Sequence, residues 1–223
     1  MTNDPVQTLM TFINDGGPPI MWTLVVMFVI GIAITLWRLI IILLAMISTK
    51  TLYRKVFEAL QDREHGIEKA SEICAKTSGP IATIIHAGLS RVHKGIDHVE
   101  KAVESAGAVE MAFLENGLVW LATIANVAPM IGFFGTVAGM IKAFRDIAAV
   151  GDVEPTVVAT GISIALITTA GGLFVAIPIQ LAYNLCVYLI DRIVVSMEEN
   201  ASRFIDVLVD MGYDTESPKK ATS

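Results

Sequence analysis

Three apolar segments, each long enough to cross a lipid bilayer, constrain this chain more than any other feature. They cover residues 20–47, 117–144 and 157–190. A membrane-crossing helix needs about 20 mostly apolar residues, and lipid offers no partners for free backbone groups, so such segments are helical. Charged residues make up only 17% of the chain, against roughly 25% in soluble domains. The sequence therefore predicts an all-α integral membrane protein with three transmembrane helices.

The distribution of basic residues predicts the orientation of these helices. Residues 1–19 contain no Lys or Arg, whereas residues 50–55 contain three. Basic residues favour the cytoplasmic side, and the first span usually decides the topology. Lys142 and Arg145 follow the second span and disagree with this order. We expect the N-terminus outside and the C-terminus inside. Because the N-terminus has no basic segment, we expect no signal peptide.

The spans divide the chain into an alternating series of membrane and water-exposed segments. We expect an outer segment (1–19), a first span (20–47), an inner helical domain (48–116), a second span (117–144), an outer loop (145–156), a third span (157–190), and an inner C-terminal helix with a tail (191–223).

Helical periodicity extends beyond the second and third spans into the inner segments. Apolar residues recur with helical spacing at Ile96, Val99, Val103, Ala106 and Phe113. We expect a helix break at 77–81 and then one continuous helix from Ile96 into the second span. The third span is followed by Ile193, Met197, Phe204 and Leu208 in the same helical phase, and residues 215–223 have a composition typical of disorder.

Small residues form a stripe on one face of both later spans. On the second span they are Ala122, Ala125, Pro129, Gly132, Thr136, Gly139 and Ala143; on the third, Ile162, Ala165, Thr169, Gly172, Ala176 and Gln180. Such stripes let helices approach closely in lipid. They also suit a pore wall, because polar groups at membrane depth face a bundle interior or a wet cavity. The two interpretations are compatible, and the central threonine of each stripe favours the pore wall.

These stripes supply the candidate functional residues. The predicted pore lining comprises Thr136, Thr169, Ala165, Gly132, Gly139, Ala176 and Gln180. Gly135, Gly139 and Gly172 are predicted helix-packing positions, and Glu115 and Asn184 are candidates for the cytoplasmic mouth. Because a monomer with three spans could not bury both stripes and keep a lumen, we expect a homo-oligomeric ring.

Charge and composition exclude several other functions. The net charge of −6 and the lack of a basic face argue against nucleic-acid binding. Cysteine and histidine spacing gives no metal site, and no nucleophile–base pair suggests an enzyme, so no cofactor is expected. Residues 116–141 and 155–190 contain no Asp, Glu, Lys, Arg or His. If the chain conducts protons, the proton carrier must belong to another chain.

Two blocks of the sequence resemble the MotA/TolQ/ExbB proton-channel family, and its ExbB/TolQ branch in particular. They are "APMIGFFGTVAGMIKAF" (128–144) and "TGISIALITTAGGLFVAIPIQLAYN" (160–184). Weaker similarity lies at "GGPPIMW" (16–22) and at the Arg-Leu pair at 38–39.

The resemblance implies a multi-pass protein of the bacterial inner membrane, with a periplasmic N-terminus and a cytoplasmic C-terminus. It implies a ring of copies, a pentamer in our expectation, surrounded by membrane lipids. The ring would enclose helices of an ExbD/TolR-like single-span partner that supplies a membrane Asp. Proton flow past that Asp would drive a TonB/TolA-like protein that crosses the periplasm. Thr136 and Thr169 match the pore threonines of the family.

The chain departs from the family pattern at two positions, and other roles remain open. Ile164 stands where many ExbB and TolQ proteins carry Glu, and Trp37 replaces a Glu often found before the Arg-Leu pair. The resemblance therefore assigns no channel Glu here. A TolQ-type envelope or gliding motor subunit is one alternative to an ExbB-like role, and a membrane scaffold that moves no ions is another.

Overall fold

A computed structural model of the chain describes residues 10–11, 13–60, 65–150 and 155–213. The chain forms α1 over Pro18–Leu60, α2 over Gly66–Lys76, α3 over Pro80–Leu89, a short 3₁₀ turn over Val92–Lys94, α4 over Ile96–Glu115, α5 over Leu118–Val150 and α6 over Pro155–Leu208, followed by a π-helical turn over Val209–Tyr213. Every regular element in these described ranges is helical, which confirms the all-α prediction.

Three helical stretches of the described chain are long and apolar enough to cross a membrane. They are Pro18–Met46, Ile96–Ala149, which takes α4 and α5 together, and Val158–Gly212. The protein is therefore a multi-pass membrane protein.

One compact unit comprises Met1–Arg38 and Gly117–Leu185, and it contains the predicted small-residue stripes. In this unit α1 packs on α5 and α6, because a Cβ added at Gly31 would lie 2.6 Å from Ile179 and 3.6 Å from Ile124. Leu24, Leu121 and Ile179 are fully buried there. Most other large apolar side chains of these helices are exposed, as expected for surfaces that face lipid or other helices.

A second compact unit comprises Leu39–Asn116 and Cys186–Ser223. Its core is assembled from the end of α1, the short helices α2 and α3, α4 and the end of α6. The fully buried side chains include Val56, Leu60, Ile85, Val99, Phe204 and Leu208. Gly88 on α3 lets the ring of Phe204 approach, because a Cβ there would lie 2.7 Å from the ring.

The predicted break at residues 77–81 is confirmed and has a simple cause. Helix α2 ends at Lys76, Gly79 takes a φ of 147°, and Pro80 opens α3. Proline fits the first turn of a helix because its missing N–H would have no partner there.

The predicted continuous helix from Ile96 into the second span is wrong. Helix α4 ends at Glu115, Asn116 is extended at φ −55° and ψ 133°, and Gly117 takes a φ of 86° before α5 begins. This is the left-handed region that glycine enters without steric cost.

The buried side chain of Arg38 packs beside the break at Gly117. Its side chain is 3% exposed, and a Cβ added at Gly117 would lie 3.4 Å from the Arg38 Cδ. The stem of a long cation thus packs against a position that lacks a side chain.

Helix α6 confirms that the third span and the following segment form one helix. It contains 54 residues and is about 80 Å long at roughly 1.5 Å per residue, far longer than a hydrocarbon core of about 30 Å. Ile193, Met197, Phe204 and Leu208 are all buried, as their phase predicted. On α4, Val99 and Val103 are buried as predicted, but Phe113 is 57% exposed. The tail at 215–223 lies outside the described residues.

Candidate functional site

The small-residue stripes of α5 and α6 pack directly against each other within one copy of the chain. A Cβ added at Gly132 would lie 2.8 Å from the carbonyl oxygen of Thr168 and 3.2 Å from the Cα of Gly172. One added at Gly172 would lie 2.7 Å from the carbonyl oxygen of Ala128. The two backbones therefore touch. We call this contact the α5–α6 seam, formed by Ala128, Gly132, Gly135 and Gly139 on α5 and by Gly161, Ala165, Thr168 and Gly172 on α6.

The seam continues toward the end of α5 through two further glycines. A Cβ at Gly139 would lie 3.1 Å from the carbonyl oxygen of Gly161. At Gly135 an added Cβ would lie 2.5 Å from both Cβ and Oγ1 of Thr168. The glycines that we assigned to helix packing, at positions 135, 139 and 172, thus lie at the seam.

Thr168 fills the space that Gly135 leaves open. Its side chain is fully buried, and its hydroxyl donates to the carbonyl of Ala165 at 2.9 Å and to that of Ile164 at 3.1 Å. The hydroxyl is therefore satisfied by its own helix. Sequence reasoning had left Thr168 off the stripe; the signal for its burial was the glycine opposite it.

The seven predicted pore-lining residues fall into two groups by exposure. Four are enclosed in one copy: Gly132, Gly139, Ala165 and Ala176. Three are half-buried and keep accessible surface: Thr136, Thr169 and Gln180. The pore-lining role remains a prediction for all seven, and in a single copy only the second group can meet another molecule.

The two central threonine hydroxyls differ in how strongly their own helices hold them. Thr136 Oγ1 donates to the carbonyl of Phe133 at 2.7 Å. Thr169 Oγ1 lies 3.4 Å from the carbonyl of Ala165 and 3.5 Å from that of Gly132, both long for an O–H donor. A hydroxyl that has donated its hydrogen still offers acceptor lone pairs. Thr136 thus presents an acceptor, whereas Thr169 is held by two long hydrogen bonds and can exchange them for a shorter bond to another molecule.

Polar side chains continue along α6 beyond the seam. Gln180 Nε2 donates to Asn184 Oδ1 at 3.0 Å, and Asn184 is exposed. Glu115 is exposed at the end of α4 and belongs to the other compact unit. The cytoplasmic-mouth role of Glu115 and Asn184 remains a prediction.

A cavity opens where α5 ends and α6 begins. Its volume is about 380 Å³, and it is lined by Lys142, Ala143, Asp146, Ala149, Thr160, Gly161 and Ile164. Gly161 and Ala143 also contact each other, so the cavity adjoins the seam. Sequence reasoning had treated Lys142 only as a flanking charge for topology and had not assigned Asp146 to any site.

Comparison with known proteins identifies the family of membrane proteins to which this chain belongs. Residues 76–199 match the MotA/TolQ/ExbB proton channel family, a range that includes the seam and the cavity. The chain belongs to this family. The predicted family membership is therefore confirmed.

Relatives of known name come from both the Tol and the Exb systems. The chain is 34% identical over 152 residues to the Tol-Pal system protein TolQ of Haemophilus influenzae, covering 68% of this chain and 65% of that protein. It is 34% identical over 167 residues to a biopolymer transport protein ExbB homolog of Methanothermobacter thermautotrophicus, covering 75% and 57%. It is 35% identical over 127 residues to the biopolymer transport protein ExbB of Pseudomonas putida, covering 53% and 39%. The matched region is thus under two thirds of each relative's length.

Proposed function

We propose that this protein is the ring-forming, proton-conducting subunit of an inner-membrane motor. The motor couples the proton-motive force to work on a partner that spans the periplasm, and the protein itself is not an enzyme. The main support is the α5–α6 seam, which contains no charged residue, in a member of the proton-channel family. The spans therefore supply a wall for a proton path but no proton carrier. A single-span partner of the ExbD/TolR kind supplies the missing membrane Asp.

The two central threonines have complementary roles in this proposal. A partner carboxylic acid that is neutral needs an acceptor for its O–H, which Thr136 offers because its own hydrogen is already donated. A carboxylate needs donors, which Thr169 offers because its own hydrogen bonds are long. Hydrogen bonds to charged groups stabilise by about 1.5–3 kcal/mol. The pair would therefore serve both protonation states of the partner Asp.

Exposed apolar residues outside the three predicted spans support the ring. Val109 and Phe113 on α4 are 65% and 57% exposed, and they are four residues apart, on one helix face. Large apolar side chains exposed to water favour burial against another molecule. The small-residue stripes no longer support the ring, because they are covered within one copy. A pentamer with its N-terminus in the periplasm and its C-terminus in the cytoplasm is the arrangement that we propose.

Proton flux with and without the partner tests the proposal. The full-length protein is reconstituted in liposomes containing a pH dye, alone and with its Asp-bearing single-span subunit, and a membrane potential is applied. We expect little flux from the protein alone and rapid flux from the complex. A partner Asp→Asn variant should abolish that flux. Fast flux through the protein alone, or none through a well-assembled complex, would contradict the proposal and favour a scaffold.

A Tol-type role is a second candidate, because the relatives of known name include TolQ as well as ExbB. The two roles share the proton path and differ in the periplasmic partner. Co-purification with a TonB-like or a TolA-like protein from the native membrane would separate them.

A further inference from the structure

The cavity at the end of the α5–α6 seam contains two charged side chains. The proposed proton path along the seam has no charged residue of its own. Lys142 and Asp146 come from α5, and the α6 residues that line it, Thr160, Gly161 and Ile164, carry no charge. Lys142 and Asp146 are both exposed and lie four residues apart, on the same helix face. A carboxylate and an ammonium group therefore share one water-accessible space beside the seam.

The supply of free protons limits a channel whose mouth opens to water near neutral pH. Diffusion brings protons to a small site with a rate constant on the order of 10¹⁰ M⁻¹s⁻¹. At about pH 8 this gives on the order of 10² protons per second, and at about pH 6 on the order of 10⁴. In water, one carboxylate raises the local concentration of a cation about 6 Å away by about threefold. A carboxylate at the mouth therefore matters at low proton supply and becomes dispensable at high supply.

We propose that this cavity is the outer proton vestibule of the channel and that Asp146 collects protons there. Lys142 opposes the collection and limits it. The proposal rests on the proposed proton-conducting function, and it adds the entrance that the seam itself does not provide. Asp146 takes a proton from hydronium in the outer solvent, which becomes water, and passes that proton through water in the cavity toward the partner carboxylate, so that Asp146 returns to its ionised form.

Proton uptake into right-side-out membrane vesicles tests this proposal. The full-length protein is expressed with its Asp-bearing single-span subunit, and uptake is measured with an internal pH dye at an external pH of about 8 and about 6. Asp146→Asn should lower uptake roughly threefold at the higher pH and leave it unchanged at the lower pH. Asp146→Glu should retain uptake at both. Lys142→Met should raise uptake at the higher pH by about threefold, the factor for removing a charge about 6 Å away in water.

The control and the alternative outcomes separate this proposal from the general function. Asp97→Asn removes the same charge from an exposed position on the predicted inner side that does not line the cavity, and it should leave uptake unchanged. If Asp146→Asn matches wild type at the higher pH, or lowers uptake equally at both, the vestibule is refuted while the channel stands. If the wild-type complex takes up no protons at either pH, the channel and the vestibule both fail.

Discussion

Replacing Gly132 with alanine tests whether the α5–α6 seam is as tight as its geometry indicates. The added Cβ would lie 2.8 Å from the carbonyl oxygen of Thr168, 3.2 Å from the Cα of Gly172 and 3.3 Å from the Cα of Thr169. All three atoms belong to the backbone, so no side chain can rotate away. Carbon atoms prefer separations of about 3.5–4.0 Å. The helices would therefore have to move apart locally by roughly 0.7 Å.

The energetic cost follows from that displacement. A gap of about 0.5–1 Å forfeits a quarter to a half of each contact's dispersion energy, and dispersion is a main attraction between helices in lipid. Overpacking typically costs about 1–3 kcal/mol, and the better helix propensity of alanine returns up to about 1 kcal/mol. We expect Gly132→Ala to destabilise the protein by about 1–2 kcal/mol and to lower its Tm by about 2–8 °C.

Gly107 on α4 provides a matched control. A Cβ there would meet only Ile84 Cδ1, at the ordinary contact distance of 3.9 Å. Gly107→Ala should therefore gain the propensity term without a clash and raise the Tm by about 2–4 °C. Thermal unfolding of both variants in the same detergent measures the contrast. If Gly132→Ala is as stable as wild type, while Gly107→Ala behaves as expected, then the backbones of α5 and α6 do not touch at the seam as inferred.

Three other substitutions or treatments give separate tests. Thr169→Val should lower partner-dependent proton flux about tenfold, since a hydrogen bond to a charged group is lost. Thr168→Val should preserve flux, because that hydroxyl donates only to carbonyls of its own helix. Equal effects of the two substitutions would refute the assignment of Thr169 to the proton path. Gly117→Ala should destabilise the protein by about 1–2 kcal/mol, because its φ of 86° is costly for alanine, and an unchanged denaturation midpoint would argue against the break. Burial raises the pKa of the Cys74 thiol from 9.0 to about 11. Maleimide labelling of Cys74 near neutral pH should thus be slow until the protein unfolds, and the stability that this thiol contributes below pH 9.0 should be lost as the pH rises toward 11; rapid labelling of the folded protein would contradict its burial.

Long-range periodicity allowed much of the fold to be predicted from the sequence. The 54 residues of α6 keep one helical phase from the span into the following segment, and Phe204 and Leu208 are buried where that phase places them. Such patterns can be recognised in a sequence because buried positions on one helix face recur every 3.6 residues. The break at Gly79 and Pro80 was also predictable, because glycine and proline are strong local signals for the end of a helix.

The break between α4 and α5 was missed although the sequence carries a local signal for it. Gly107 lies between two alanines and stays within a helix, whereas Gly117 follows Asn116 and ends one, and an Asn-Gly pair favours a turn. The buried Arg38 packs against Gly117 from a distant part of the chain. An Asn-Gly pair permits a break without requiring it, so the helical periodicity on either side of Gly117 outweighed this signal in the prediction.

The candidate site was predicted in composition but not in its division between packing and access. Periodicity placed Gly132, Thr136 and Thr169 on inward faces, but it could not show that α5 and α6 would cover each other. Asp146 was missed as a site residue because a single charge past a span resembles any flanking residue. Only the meeting of α5 and α6 places it in a cavity with Thr160.

The tightness of the seam limits where the proposed proton path can run. No partner helix fits between α5 and α6, because their backbones already touch at Gly132 and Gly172. The path must therefore pass along the outer edge of the seam, where Thr136 and Thr169 keep accessible surface. That edge contains no Asp, Glu, Lys, Arg or His, and a carboxylate brought to it from water would lose hydration that one hydroxyl cannot replace. A partner Asp would thus cross this edge most readily in its neutral form, with its O–H directed at Thr136, and would ionise where water from either end joins Thr169 in donating hydrogen bonds to the carboxylate.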